Sequence, residues 1–353
     1  MYEIETARGR LDSRALGRVL IHEHVFLMDM EYTYNYRPDF FAAETVVNAA
    51  ARLNALKRAG IDTIIDLTVL GLGRHMPMLA QAAAQTDLNI IVSTGAYTFD
   101  KVPAPFSFYG PGLLCDAPEP MVEHFVKDIV EGISGTGIKA GELKCAIDQP
   151  GLTPGVERVM RAVARTHVIT GTPITVHTAP LAQSGLIAQR VLAEEGVSLE
   201  DVIIGHCGDT TNLDYLMKVA DGGSILGMDR FGVNFTITMQ QRVKIIAEMV
   251  KRGYVDQLTL SHDCCCWSDF FPTVEQYGAA MPQHNYLHIC NDVIPALLNA
   301  GVTQSQIDKM FIDNPRRHFE GTAARFTARK PHEELKSCNK AKPVHAPLRV
   351  KSP

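Results

Sequence analysis

Several common protein classes are ruled out by what this sequence lacks. No uninterrupted apolar run reaches the length of a membrane span, and the opening MYEIETARGRLD has no apolar segment behind a basic start. Neither a transmembrane helix nor a secretory leader is expected. Cysteine is sparse: eight in 353 residues fall short of a disulfide scaffold and match no zinc-finger spacing. The adjacent Cys264, Cys265 and Cys266 make poor disulfide partners because neighbouring side chains diverge. Reduced thiols and a cytoplasmic setting follow as expectations. Clustered basic charge is also missing, since the net charge is −5, the pI is near 6.2 and Lys and Arg are scattered over the first 320 positions. Neither nucleic acid nor a membrane surface therefore finds a footing as partner. What is present is 46% hydrophobic and 21% charged residues at a mean hydropathy of −0.01, the balance of a water-soluble chain with a full core.

Short apolar, β-branched runs recur along the chain: RVLIHEHVF (18–26), DTIIDLT (62–68), NIIVSTGAY (89–97), ELKCAID (142–148), PITVHT (173–178), DVIIGHC (201–207), SILGMD (224–229) and QLTLSHD (257–263). Helical patterns lie between them, as in 42–60, 155–171 and 240–253, with Ala, Val, Leu and Ile three and four residues apart and Gly just past the end. Alternating strands and helices imply a parallel sheet. Eight strands, with no glycine-rich phosphate turn after the first, predict a closed (β/α)8 TIM barrel in preference to an open dinucleotide-binding sheet. One domain over residues 1–322 is expected. Beyond it the composition turns rich in Lys and Pro, so 323–353 reads as a mobile basic tail, either a solvated extension or a partner-binding arm.

The polar residues of these strands gather at their C-terminal ends: His22 and His24 on the first, Lys144 on the fourth, His177 on the fifth, His206 on the sixth, Asp229 and Arg230 on the seventh and Asp263 on the eighth. That end of a barrel is its catalytic mouth. Residues i and i+2 of a strand share a face, so His22 and His24 point inward together while Glu23 turns away. Four histidines and an aspartate converging from separate strands are costly to desolvate without a shared cation. A metal site is expected, with donors that suit zinc and also accept cobalt, iron or manganese. Lys144 is out of place beside divalent cations unless it is neutral or modified.

The motifs HEH, GIKAGELKCA, VHT, GHCGDT, GMDRFG and SHD, in this order over about residues 8–320, resemble those of the phosphotriesterase family of the amidohydrolase superfamily. The resemblance implies a binuclear centre. In it His22, His24 and Asp263 would bind the buried metal and His177 and His206 the exposed one, while Lys144, carboxylated by carbon dioxide, would bridge both beside a hydroxide nucleophile. Asp263 would take the proton and hand it to the leaving group. Asp209 either passes that proton outward or caps the next helix. Some relatives bridge with glutamate, which draws attention to Glu142, two residues before Lys144. The position of the lysine in the motif favours Lys144 and leaves Glu142 a salt-bridged or supporting role.

The closest branch that the resemblance suggests is the phosphotriesterase-like lactonases, a homodimeric group opening N-acyl-homoserine lactones in quorum quenching with phosphotriesterase activity on the side. Tyr97 would contact the nucleophile or polarise the lactone carbonyl, or else pack at the mouth. Arg230 would hold the seventh-strand loop through Asp229, or else touch substrate. Specificity is assigned to the loop after the eighth strand, where Trp267, Phe270 and Phe271 line an acyl channel or pack on the rim. The competing expectations are a metabolic ester, amide or phosphoester hydrolase and a non-catalytic metal-binding scaffold. Cysteine catalysis is not expected, for no histidine is spaced as partner base to Cys264–Cys266. The remaining histidines, His75, His124, His167, His284, His288 and His318, are expected on the surface or in loops.

Overall fold

The computed structural model describes residues 2–328. A hairpin of β1 (Glu3–Thr6) and β2 (Gly9–Asp12) precedes a parallel sheet of β3 (Val19–Leu27), β4 (Thr63–Asp66), β5 (Asn89–Gly95), β6 (Ala140–Ile147), β7 (Ile174–Thr178), β8 (Val202–Ile204), β9 (Ile225–Met228), β10 (Leu258–Leu260) and β11 (Cys265–Ser268). All eight expected strands are present as β3 to β10, in sequential order across the sheet, and helices follow them. The helix read over 155–171 spans Pro154–Thr170; Thr153 caps its first turn and Gly171 ends it in the left-handed region at φ 70°. That read over 240–253 spans Met239–Lys251 behind a Thr238–Gln241 capping box.

The sheet is consistent with a TIM-like barrel, yet the expected closed ladder is not formed. β10 pairs with β9 but not with β3, and β11 occupies the free edge of β3 instead. The seam is joined by single bonds: the His22 amide lies 3.0 Å from Ser261 Oγ, the Asp263 amide donates to the His22 carbonyl at 3.0 Å and the His24 amide donates to the Cys264 carbonyl at 2.8 Å. The chain leaves the ladder here because Asp263 adopts φ 58°, which no regular strand can hold.

A bulge decides which way β3 points. Val19 and Ile21 pack in the inner cluster with Ile65, Leu67, Ile91, Ile203 and Ile225, whereas Leu20 and Val25 belong to the outer layer beneath the helices. Pairing with β4 slips between Leu20 and Glu23, and the extra residue transfers the inner face from odd to even positions. His22 and His24 thereby enter the interior above the apolar layer.

The last helix, Asn314–Ala328, closes the other end. His318 Nε2 is 3.1 Å from Glu142 Oε1, and Arg325 Nε donates to Asp201 Oδ1 at 2.7 Å. This helix continues past the boundary expected at 322, while the rest of the tail, 329–353, lies outside the described residues. His167, His284, His288 and His318 are buried, each in contact with a carboxylate or a backbone carbonyl; His284 lies in a loop as expected, whereas His167, His288 and His318 stand in helices. No helix among the described residues is long and apolar enough to cross a membrane.

Glu23 is the pin of the seam. Wholly buried, its carboxylate accepts from the His262 amide at 2.9 Å, His262 Nδ1 at 2.8 Å, Ser261 Oγ at 2.8 Å and the Cys264 amide at 2.9 Å. Glu23→Ala strands these donors in the interior at about 1–3 kcal/mol each. A fall in urea stability of about 3 kcal/mol or more is expected, read from the denaturation midpoint; an unchanged midpoint would show that the seam does not depend on this residue.

Candidate metal centre

The imidazoles at the top of the sheet are organised by Asp229, which stands at the end of β9 with no exposure. His22 Nδ1 lies 2.7 Å from its Oδ2, and both the amide and Nδ1 of His206 lie on its Oδ1, at 2.7 and 3.0 Å. Burial alone would raise this carboxyl, but the rings of His206 and His22 hold it far below the usual carboxylate range. An ionised carboxylate only accepts, so Nδ1 of both histidines carries the proton and Nε2 keeps its lone pair. The two rings stack with centroids 5.0 Å apart. Space for the carboxylate comes from two glycines: a Cβ on Gly227 would sit 2.7 Å from Asp229 Oδ2, and one on Gly205 3.1 Å from it.

The freed Nε2 atoms face the other expected ligands. Asp263 Oδ1 is 3.3 Å from His22 Nε2 and 3.2 Å from His24 Nε2, and Lys144 Nζ is 3.0 Å from His22 Nε2. His24 is held from behind by Thr68, with Nδ1 to Oγ1 at 2.8 Å. His177 turns Nε2 to Asp148 at 2.7 Å and leaves Nδ1 2.7 Å from His206 Nε2. Two bare imidazole nitrogens at that distance repel unless a proton or a cation lies against them. Burial depresses the basicity of His22 and His206, and holds His177 at about 4, so neutral imidazoles, the form able to bind a metal, prevail at neutral pH.

All six expected ligand residues thus meet in one cluster, within which His22, His24 and Asp263 form one group of converging donor atoms and His22, His206 and Asp229 another. The donor set fits divalent metal. Imidazole with carboxylate is borderline chemistry, and the carboxylates behind the rings fix tautomer and orientation as they do around metal-bound histidines. Backbone geometry adds to this, because His206 at φ 64° and Asp263 at φ 58° are among the few non-glycine residues in the left-handed region. Such conformations cost about 1–3 kcal/mol each and persist where surrounding bonds enforce them.

Lys144 makes no ion pair among the described residues, and burial draws its ammonium down to about 8. Glu142 sits elsewhere, bonded to Thr175 and His318 near the closed end. Arg230 does not pair with Asp229 as expected: its Nε donates to Asp263 Oδ2 at 3.0 Å and its Nη1 to Asp209 Oδ2 at 3.2 Å, since Asp229 is already engaged by the histidines. Asp209 is not a helix cap, a place filled by Asn212; it accepts from the fully buried Arg242 at 2.5 Å. Tyr97 places its hydroxyl 3.5 Å from His177 Nδ1, and burial keeps the phenol protonated by raising it well above its usual range. Trp267 packs against Phe40, centroids 4.7 Å apart, under the Arg37 guanidinium; Phe271 packs on Tyr277, and Phe270 projects into solvent. Asp148 follows directly on the last residue of β6, and its spacing of four from Lys144, which in an extended run shares a face, is the signal in the sequence that points to it.

The model of the phosphotriesterase family matches residues 2–319. A phosphotriesterase homology protein of Mycobacterium tuberculosis is 54% identical over 322 residues, covering 91% of this chain and 98% of the relative. An aryldialkylphosphatase of Saccharolobus solfataricus is 34% identical over 88% of this chain and 98% of its own length. A solved structure described as that of the phosphotriesterase from Mycobacterium tuberculosis superposes with a TM-score of 0.88 at 54% identity, covering 90% of this chain and 98% of that one.

Asp229→Asn keeps the volume but removes the anion that sets two tautomers. Metal affinity is expected to fall about 10–100-fold, measured by competition with a chromogenic chelator. An affinity equal to wild type would show that Asp229 does not orient the ligands.

Proposed function

The chain belongs to the phosphotriesterase family and is a metal-dependent hydrolase, and from that premise we propose that it opens lactones, among them N-acyl-homoserine lactones, with weaker activity on phosphotriesters. In this reading His22, His24 and Asp263 would hold one divalent ion and His177 and His206 a second, with Lys144, as a carbamate, a further ligand. Zinc is the metal the donors suit best. Ions held there supply Lewis acidity toward a carbonyl or phosphoryl group and lower the pKa of water.

The observation that carries the lactone reading is Tyr97. Its protonated hydroxyl stands beside the His177–His206 pair, where a donor stabilises the oxygen of a carbonyl as it becomes an oxyanion. Asp263 accepts the proton from the attacking water and returns it to the ring oxygen that leaves. Asp263 is held ionised by His22, His24 and His206 and, after them, by Arg230, whose guanidinium also aims it by bonding Oδ2 while Oδ1 faces His22 and His24. Asp209, engaged by Arg230 and Arg242, anchors Arg230 in place. The family resemblance to a named aryldialkylphosphatase supports the phosphotriester side activity.

The environment of Lys144 supports its carbamylation in this proposal. The neutral amine adds to carbon dioxide and releases one proton, so only the deprotonated form reacts. Because burial lowers this amine to about 8, assembly of apoprotein with zinc at fixed dissolved carbon dioxide is expected to accelerate about tenfold from pH 6 to 7 and to level off above pH 8. Assembly indifferent to pH and to carbon dioxide would remove the carbamate from the account.

The substrate reading is tested by initial rates on a lactone series beside paraoxon-like triesters, with Asp263→Asn as blank. Lactones are expected to exceed triesters, and Tyr97→Phe to cut lactone kcat by about a hundredfold while sparing triester turnover. Equal losses on both classes, or lactone rates at the blank, would sink the proposal and turn attention to amides and phosphoesters.

A further inference from the structure

The turn after β10 has two sides. Asp263 faces His22 and His24, while the next residue, Cys264, points out of the barrel into a cavity of about 240 Å³ between the helix Ala43–Arg58 and the segment 277–287. Apolar lining comes from Ala55, Met281, Pro282 and Leu287. The polar groups of the wall are mostly satisfied within it: Tyr277 Oη lies 2.6 Å from His284 Nδ1 and 3.9 Å from Cys264 Sγ, and His284 Nε2 reaches the His262 carbonyl at 3.0 Å.

Arg52 is the exception. Half-buried on the helix, it lines this cavity and the adjoining one beside Trp267, yet it makes no hydrogen bond or ion pair among the described residues. Other half-buried or buried arginines among the described residues are matched by carboxylates, Arg158 by Glu119, Arg161 by Glu157 and Glu195, and Arg242 by Asp209. No Asp or Glu lines either cavity. A guanidinium at the edge of apolar surface without a counter-charge is poised for an anion, and its planar fork matches a carboxylate. The apolar wall calls for a hydrocarbon chain behind that carboxylate. The volume, below the 300–1,000 Å³ usual for drug-sized ligands, limits it to a small one.

We propose that this cavity, separate from the metal centre, binds a small monocarboxylic acid with an apolar chain, its carboxylate on Arg52 and its chain against Ala55, Met281 and Leu287. The site stands on its own residues and does not require the lactone reading.

Octanoate is the probe, titrated calorimetrically into the metal-loaded full chain. Wild type and Asp263→Asn are expected to bind it at one site with equal affinity. Arg52→Met is expected to weaken binding by about tenfold or more, Arg52→Lys to restore part of it, and Ala55→Trp, which fills the cavity, to abolish it; octanol should bind at least about tenfold more weakly than octanoate. The inference is overturned if wild type takes up no octanoate, if Arg52→Met and Ala55→Trp bind like wild type, or if Asp263→Asn alone loses binding, which would move the acid to the metal centre.

Discussion

One buried anion sets the geometry of the whole upper barrel. Asp229 is fully enclosed, and an uncompensated carboxylate there would be prohibitive. It is compensated by three N–H groups from two residues far apart in sequence, His22 and His206. Satisfying that charge has a chemical by-product, for each ring must donate through Nδ1 and present Nε2 to the interior. The arrangement that solves a burial problem is the one that turns free imidazole nitrogens toward one another. Gly205 and Gly227 belong to the same solution, because any side chain at either would contest the volume the carboxylate fills.

The cost of this geometry is distributed over the neighbouring backbone. His206 and Asp263 occupy the left-handed region, and β3 is bulged where it delivers its histidines. Asp229 bonds the His206 amide, while the bonds around Asp263 are the same ones that hold the seam together, since Glu23 ties the turn carrying Asp263 to the strand carrying His22 and His24. Stability and site architecture meet in that strand. Its even positions hold donors, while Glu23 between them holds the fold, and the bulge makes both roles compatible with an apolar layer immediately below.

Much of this was legible in the sequence, and what was not has physical reasons. The eight apolar runs and the i, i+2 spacing of His22 and His24 are local signals, and β3 to β10 and the clustered ligands accord with them. Asp148 carries a similar signal relative to Lys144, but its partner His177 lies 29 residues on. The role of Asp229 was hidden by its neighbour, because an adjacent Arg230 suggests a local ion pair whereas the partners lie 23 and 207 residues away. Burial of His318 against Glu142 spans 176 residues and leaves no trace in local composition. The open ladder between β10 and β3, the extra strand β11 and the rim packing of Trp267 all depend on how one turn leaves the sheet, which periodicity does not encode.

In the function proposed above, the converging imidazoles and carboxylates constitute a two-metal site. Anomalous diffraction at the zinc edge, from crystals of the full chain grown with zinc and bicarbonate, addresses it directly. Two peaks are predicted, one against His22, His24 and Asp263 and one against His177 and His206, with density joining Lys144 to both. A single peak, or zinc bound only at surface residues while the imidazoles keep their mutual hydrogen bonds, would contradict it.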